Sequence, residues 1–326
     1  MIKILVRAPA KDEELVLSFP FLHALNEQYG AEKVSIILNE GQKNLYKFLP
    51  FPVEVHYFPA GQNSLSGIHH FCVNKLDIFN IDYYFDLENS LKSAFMGFAF
   101  RSKERIGYKR GLNRLFLTKK LENEEFQTIT ENDERYLRLL SQFSGKDFSN
   151  LKVIGEETSF ASLESRTHVL VCFEDFLKCS FKRELTEFFK GFEEQKFVFA
   201  CQCDDESGVE NQVEKEFQSF ISEIGGSNTY DIEKFKNSSQ LIQLMTSSKV
   251  IFTNIEWQGE MASYFAIDAF VFSDTDAIMP VCKYFKSSPM RIVFNDKDIS
   301  LNMEGGTRKI ENIQSLLDFV HQFIVI

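Results

Sequence analysis

Short apolar runs alternate with longer amphipathic stretches along most of this chain. This rhythm is typical of βαβ units that build a parallel sheet. In the first half, strands are predicted at 2–7, 33–38, 53–58, 82–87 and 104–108. Helices are predicted between and after them, at 12–28, 41–48, 67–76, 90–100 and 130–143. The first half is therefore predicted to be an α/β domain with a doubly wound sheet.

The same rhythm restarts after a polar stretch, 144–166, that holds two glycines and several Ser and Glu residues. We interpret this stretch as a linker between two domains, 1–150 and 151–326. The later strands are predicted at 167–173, 196–201, 227–230, 249–253, 268–272 and 291–294. The later helices are predicted at 181–194, 208–223, 238–247, 257–266 and 310–324. Ligands are expected beyond the carboxyl ends of the strands and in a cleft between the halves.

Composition narrows the class of protein. The 326 residues carry a net charge of −11, which argues against a general nucleic-acid binder. The 35 phenylalanines predict cores that are rich in aromatic rings. The six cysteines are scattered without metal-ligand spacing, and neither a signal peptide nor an apolar run of membrane-spanning length is recognisable. We therefore expect a cytoplasmic protein with reduced cysteines.

Three acids, Asp12, Glu13 and Glu14, follow the first predicted strand and open the first predicted helix. A strand that delivers carboxylates to the mouth of a parallel sheet is one way to build a catalytic base. Acids in the first turn of a helix also interact favourably with its dipole. The pattern alone leaves both interpretations open.

Segments 4–9 (ILVRAP) and 15–25 (LVLSFPFLHAL), with the acids between them, resemble the start of the lipopolysaccharide heptosyltransferases, glycosyltransferase family 9. A second block, 85–94 (FDLENSLKSA), continues into 105–108 (RIGY) and 114–118 (RLFLT). It resembles the family's strand, Asn-Ser-x-x-Ser-Ala and Arg-x-Gly succession. The resemblance implies a GT-B fold, in which two Rossmann-like domains face a central cleft, with the acceptor side first and the nucleotide-sugar side second.

The resemblance also implies a reaction, the inverting transfer of a sugar from a nucleotide sugar such as ADP-heptose to a lipopolysaccharide-core acceptor. Such a transfer needs a general base and positive charge near the leaving diphosphate. The family's catalytic Asp falls on Glu14, and no cofactor or metal is implied. The acceptor-side candidates are Arg7, Asn89, Ser90, Lys92, Ser93, Arg105 and Arg110.

The donor side matches the family less well. Lys178 lies where the family keeps a lysine for the donor phosphate, although Lys182 and Arg183 are alternatives and a surface lysine is the simpler interpretation. The family's Asp-(Ser/Thr)-Gly-x-x-His signature falls on 254–259 (NIEWQG), so that Asp and His are replaced. The donor candidates there are Asn254, Glu256 and Trp257, although packing in the core or at an interface is the simpler interpretation of Trp257.

Segment 101–120 has a positive net charge on a negatively charged chain, with eight basic residues and one acidic residue. It would suit the phosphates and acidic sugars of an acceptor, or it would be a solvated edge. The Asp274-Thr275-Asp276 triplet has carboxylates for a metal, but its turn-like position favours a solvated loop. A peripheral contact with the inner face of the membrane is left open.

The altered donor signature supports a rival interpretation. The chain would then be a catalytically inactive family member that acts as a binding or scaffold protein, with 101–120 as its working surface. A periplasmic two-lobed binding protein is disfavoured because no signal peptide is recognisable. The partners implied by the leading hypothesis are a nucleotide sugar and a lipopolysaccharide inner-core acceptor, without nucleic acid.

Overall fold

A computed structural model of the chain describes residues 2–74, 80–122, 132–148, 151, 166–173, 181–202, 212–236, 238–273, 289–295, 298–303 and 306–324. The chain divides into two compact units, Met1–Val153 and Ile154–Ile326. Among the described residues, no helix is both long enough and apolar enough to cross a bilayer. The Asp274–Asp276 triplet lies outside the described ranges.

The first unit contains a six-stranded sheet in which every pairing is parallel, in the order β3-β2-β1-β4-β5-β6. Its strands are β1 Ile4–Arg7, β2 Val34–Asn39, β3 Glu54–Phe58, β4 Tyr83–Asp86, β5 Glu104–Tyr108 and β6 Lys119–Leu121. Its helices are α1 Asp12–Leu17, α2 Phe19–Tyr29, α3 Leu65–Asn74, α4 Leu91–Ala99 and α5 Asn132–Ser144. Shorter 3₁₀ helices cover Ala31–Lys33, Glu40–Phe48, Ala60–Gln62 and Gly111–Leu115.

The central strand β1 explains where the chemistry of this unit gathers. All four of its residues are buried because β2 and β4 flank it on both sides. Arg7 ends the strand opposite Ile37 of β2 and Asp86 of β4. The chain runs outward from β1 to β3 and then returns to β4, so the topological switch point lies between β1 and β4.

Two local predictions were wrong. The single helix expected at 12–28 is two helices, because Pro20 supplies no backbone N–H and α2 starts afresh at Phe19. The hydroxyl of Ser18, between them, donates to the carbonyl of Leu15 at 2.7 Å. The helix expected at 41–48 is a 3₁₀ helix, Glu40–Phe48, and the short edge strand β6 was not predicted.

The second unit contains an eight-stranded sheet in the order β14-β13-β12-β11-β10-β7-β8-β9. Its strands are β7 His168–Cys172, β8 Lys196–Gln202, β9 Thr229–Phe235, β10 Ser248–Thr253, β11 Asp268–Ser273, β12 Met290–Asn295, β13 Asp298–Met303 and β14 Gly306–Ile310. Its helices are α6 Lys182–Lys190, α7 Gln212–Ile224, α8 Ser238–Thr246, α9 Glu256–Tyr264 and α10 Ile313–Ile324. The pairings from β9 through to β12 are parallel, as predicted, and the two antiparallel edge strands β13 and β14 were not predicted.

Phenylalanine rings form much of the core of the second unit, as the composition predicts. Phe188 of α6 makes edge-to-face contacts with Phe189, Phe192, Phe252 and Phe272, with ring centroids 5.0–5.6 Å apart. The C-terminal helix α10 joins the same core through its buried residues, Leu316, Leu317, Val320 and Ile324. These contacts tie the last helix to the second unit.

Candidate functional site

A cavity of about 400 Å³ opens at the carboxyl edge of the first sheet, beside the β1–β4 switch point. Switch points are where open α/β sheets bind their ligands. The polar side chains that line it are Arg7, Asn39, Glu40, Asn63, Glu88, Ser90, Lys92 and Ser93. Phe58, Ile68 and Met96 add an apolar wall. The cavity thus offers both charges and a nonpolar surface, as small-molecule sites commonly do.

Arg7 is a buried cation whose guanidinium is held by the end of the neighbouring strand β2. Its Nη1 donates to the carbonyl of Ile37 at 3.1 Å, and its Nη2 donates to Oδ1 of Asn39 at 2.5 Å. Burial lowers the pKa of Arg7, which the negative charges of Glu88 and Asp86 partly oppose. A buried positive charge therefore lies close to the carboxyl groups of Glu88 and Asp86 in this site.

Glu88 fixes the loop that follows β1. Its Oε2 accepts a hydrogen bond from the backbone N–H of Ala10 at 2.5 Å. Nε2 of Gln42 holds the same loop, since it lies 3.2 Å from the carbonyls of Pro9 and Ala10 and from Oδ1 of Asp12. Burial raises the pKa of Glu88, which makes its carboxylate a better proton acceptor.

Sequence reasoning missed Glu88, Asn39 and Gln42. Glu88 lies two residues beyond the end of β4 and Asn39 is the last residue of β2, so both reach the carboxyl edge that carries Arg7. The available signal was therefore positional, a polar residue at the end of each strand that neighbours β1. Gln42 carried no comparable signal, because it acts from within the 3₁₀ helix Glu40–Phe48.

The predicted acceptor residues at the start of α4 meet in the cavity, but two of them already have structural partners. The N–H of Ser93 donates to Oγ of Ser90 at 3.1 Å, and the N–H of Ser90 donates to Oγ of Ser93 at 2.9 Å. This reciprocal pair caps α4. Lys92 is exposed on the cavity wall, and no carboxylate in the described ranges pairs with it. Lys92 is therefore the cation available to a ligand.

Three other predicted acceptor residues do not line the cavity. Asn89 has a positive φ of 56°, which asparagine tolerates, and its Oδ1 accepts from Nδ2 of Asn113 at 2.9 Å. Nε of Arg105, in β5, donates at 2.5 Å to the carbonyl of Phe116, which holds the guanidinium against the end of the 3₁₀ helix Gly111–Leu115. Arg110 is exposed just before the 3₁₀ helix Gly111–Leu115.

Glu14, the predicted base, lies in α1 and is held by residues of α5. Nη2 of Arg135 and the hydroxyl of Tyr136 both lie 3.3 Å from its Oε2. The guanidinium of Arg135 also lies 4.5 Å from the centroid of the Tyr136 ring. Glu14 thus has partners that would give it a structural role, while Glu88 lines the cavity.

The donor candidates belong to the switch point of the second sheet, between β7 and β10. Thr253 ends β10 opposite Cys172 of β7, and Asn254 follows it directly. The hydroxyl of Thr253 accepts from the N–H of Ile255 at 2.9 Å and donates to Oε1 of Gln258 at 2.7 Å. Lys178 lies outside the described residues, as do the side chains of Glu256 and Trp257.

Comparisons with known proteins support the fold. No protein-family model and no curated protein matches the chain. A glycosyl transferase family 9 structure from Veillonella parvula DSM 2008 superimposes with a TM-score of 0.66 at 15% identity, covering 90% of this chain and 86% of that one. E. coli ADP-heptose lps heptosyltransferase II gives 0.65 at 14% identity, and E. coli heptosyltransferase WaaC with ADP-2-deoxy-2-fluoro heptose gives 0.66 at 12%, each covering 99% of both chains. This chain has the family 9 glycosyltransferase fold. The predicted α/β GT-B fold class is thereby confirmed.

Within this fold, Gly259 stands at the position that the resemblance assigns to the family's histidine. A Cβ added to Gly259 would lie 2.7 Å from Cγ2 of Val271 and 3.1 Å from Cβ of Pro289. A side chain at this point of α9 would therefore collide with Val271 of β11 and with Pro289, the residue before β12. The close approach of these neighbours accounts for a glycine rather than a histidine at this position.

Asp86 gives the stability of the first unit a pH dependence that can be measured. Its carboxylate is buried, and one oxygen accepts from the N–H of Asn89 at 2.9 Å. Burial raises its pKa to about 7. The folded chain therefore holds a proton that the unfolded chain releases, and stability falls as the pH rises from the unfolded pKa of Asp86 to its folded pKa.

We expect Asp86 alone to make the protein about 2 kcal/mol more stable at about pH 5.5 than at about pH 8. In Asp86→Asn, urea unfolding at the two pH values should give a difference in the free energy of unfolding that is smaller than that of the wild type by this amount. Asp82→Asn is the matched control, because a hydrogen bond from Lys103 lowers the pKa of Asp82, so that Asp82 is ionised throughout this pH range and its removal should leave the pH dependence unchanged. An unchanged pH dependence in Asp86→Asn would contradict the assignment.

Proposed function

We propose that this protein is a glycosyltransferase that moves a sugar from a nucleotide sugar to a lipopolysaccharide-core acceptor, with inversion at the anomeric carbon. The observation that carries the proposal is the cavity of the first unit, which combines a carboxylate with a raised pKa and an exposed lysine at the switch point of a family 9 fold. WaaC and heptosyltransferase II, which share this fold, are named for heptosyl transfer.

We propose Glu88 as the general base that takes the proton of the acceptor hydroxyl. It lines the cavity, burial raises its pKa, and its Oε1 accepts no hydrogen bond from the described residues. Glu14 was the base predicted from the sequence, and it remains the alternative. Its pairing with Arg135 favours a structural role in joining α1 to α5.

The acceptor would bind against the N-terminal end of α4. Lys92 supplies a positive charge for an acidic or phosphorylated sugar, and the cationic Arg7 lies beneath the same cavity. Asn39 would contribute an amide for sugar hydroxyls. The apolar wall of Phe58 suits the nonpolar face of a sugar ring.

The nucleotide sugar would bind at the switch point of the second sheet. Asn254 follows β10 there, and Lys178 belongs to the segment after β7, the neighbouring strand. Lys178 would neutralise the leaving diphosphate, and Trp257 would stack on the base or the sugar. Glu256 is the first residue of α9. Its negative charge would not favour a diphosphate, so it would contribute to the donor site only through its place at the start of this helix.

Donor binding is tested by thermal unfolding in the presence of ADP and ADP-sugars. At a ligand concentration of about 100 times Kd, we expect a stabilisation of about 2.7 kcal/mol, and thus a rise in Tm of roughly 5–10 °C. Lys178→Ala should reduce the rise, while Lys190→Ala, which changes an exposed lysine at the far end of α6, should not. If no nucleotide or nucleotide sugar moves the Tm, donor binding is contradicted and the non-catalytic binding protein becomes the better account.

A further inference from the structure

The 3₁₀ helix Gly111–Leu115 presents two leucines to solvent. Leu112 and Leu115 are 61% and 68% exposed, more than any other large hydrophobic side chain in the described part of the chain. A 3₁₀ helix has three residues per turn, so side chains at i and i+3 lie on the same face. The two leucines therefore form one apolar stripe.

This exposure is held in place by the residues beneath the helix. The buried side chain of Asn113 donates to Oδ1 of Asn89 and to the carbonyl of Tyr108, both at 2.9 Å. Leu117, just after the helix, is also buried. The short helix is thus anchored by its inner face, and its leucines point outward from a fixed support.

The apolar stripe continues onto α4. Phe98 is 51% exposed, and its ring centroid lies 5.6 Å from that of Phe116, the residue after Leu115. Single exposed hydrophobic residues are common, but contiguous ones indicate an interaction site. We call the group Phe98, Leu112, Leu115 and Phe116 the leucine surface.

Unpaired cations surround the leucine surface. Arg110 and Arg114 flank the two leucines, and Lys119 and Lys120 are exposed on the edge strand β6. No carboxylate of the described residues pairs with these four, although nearby Lys109 pairs with Glu122. A positive, apolar surface on a chain of net charge −11 is complementary to an anionic bilayer, whose headgroups attract cations while its interior accepts leucine and phenylalanine.

We propose that the leucine surface and its flanking arginines dock on an anionic lipid bilayer. The position fits the cavity, because Asn113 bonds to Asn89, which directly precedes Ser90 on the cavity wall. Docking would hold the acceptor cavity close to the headgroups. This part of the inference rests on the proposed function, since it implies an acceptor that is itself embedded in the bilayer.

Vesicle co-sedimentation of the full chain tests the proposal. We expect binding to phosphatidylcholine vesicles containing about one quarter phosphatidylglycerol, little binding to pure phosphatidylcholine, and weakening with salt. Leu112→Ser/Leu115→Ser should bind at least about tenfold more weakly. Arg110→Gln/Arg114→Gln should lose about fivefold per arginine removed.

The matched controls change similar residues elsewhere. Leu65→Ser/Val73→Ser alters two exposed apolar residues of α3, and Arg183→Gln/Lys190→Gln removes two cations of α6; both should bind as the wild type does. Absent wild-type binding, or equal loss in controls and test variants, would overturn the proposal. So would a dimer in sedimentation equilibrium that Leu112→Ser/Leu115→Ser dissociates, since the surface would then be a contact between copies.

Failure of membrane docking can be distinguished from failure of the proposed sugar transfer. Leu112→Ser/Leu115→Ser should leave transfer to a water-soluble acceptor unchanged, because neither leucine lines the cavity. Vesicle binding without transfer would support the surface and contradict the enzyme, and transfer without vesicle binding would do the reverse.

Discussion

Replacing Glu88 with glutamine is expected to slow acceptor-dependent sugar transfer by about 10²–10⁴-fold, the usual contribution of a general base. Glutamine keeps an oxygen that can accept from the N–H of Ala10, so the loop after β1 should hold its position. The measured quantity is the rate of nucleoside diphosphate release with and without acceptor. Donor binding should be unchanged, because Glu88 belongs to the first unit and the donor site is proposed in the second.

Glu14→Gln is the paired variant. We expect it to lose far less activity than Glu88→Gln, because the carboxylate of Glu14 pairs with Arg135 rather than lining the cavity. A larger loss in Glu14→Gln would restore the base predicted from the sequence. If both variants transfer sugar at the wild-type rate, neither Glu88 nor Glu14 is the general base.

Replacing Arg7 with methionine is expected to destabilise the protein by about 3–5 kcal/mol, the cost of removing one member of a buried charge network. The change would leave the carbonyl of Ile37 and the amide oxygen of Asn39 without their donor. It would also leave Glu88 and Asp86 without the nearby positive charge.

Urea unfolding monitored by circular dichroism measures this loss directly, as a lower midpoint at an unchanged slope. Arg183→Met is the control, because its side chain is largely exposed in α6 and only a small change is expected. A loss in Arg7→Met no larger than that in the control would show that Arg7 is not a structural centre of the site.

The parallel architecture could be predicted from the sequence because the apolar runs coincide with the strands that are buried in the middle of each sheet. Residues 4–7 are apolar up to Arg7, and strands that are buried on both faces read as continuous apolar runs. The family resemblance named Arg7, Ser90, Lys92 and Ser93 among the acceptor-side candidates, and these four residues line one cavity.

The remaining features depend on contacts that no local pattern records. Glu88 becomes a candidate base only once β4 lies beside β1 and its carboxylate meets the N–H of Ala10. Gly259 is explained by its close approach to Val271, a residue of the neighbouring strand. The hairpin of β13 and β14 could not be predicted because its strands are mostly polar and exposed, and therefore lack the apolar run of a buried strand.

The most direct test of the account is transfer by the wild-type chain. Purified protein is incubated with a panel of nucleotide sugars, including ADP-heptose, and with a soluble lipopolysaccharide-core oligosaccharide, and the products are followed by mass spectrometry. The account predicts acceptor-dependent release of the nucleoside diphosphate together with a glycosylated acceptor of inverted anomeric configuration. Absence of product with every donor, from protein that is folded and whose Tm no nucleotide raises, would contradict it.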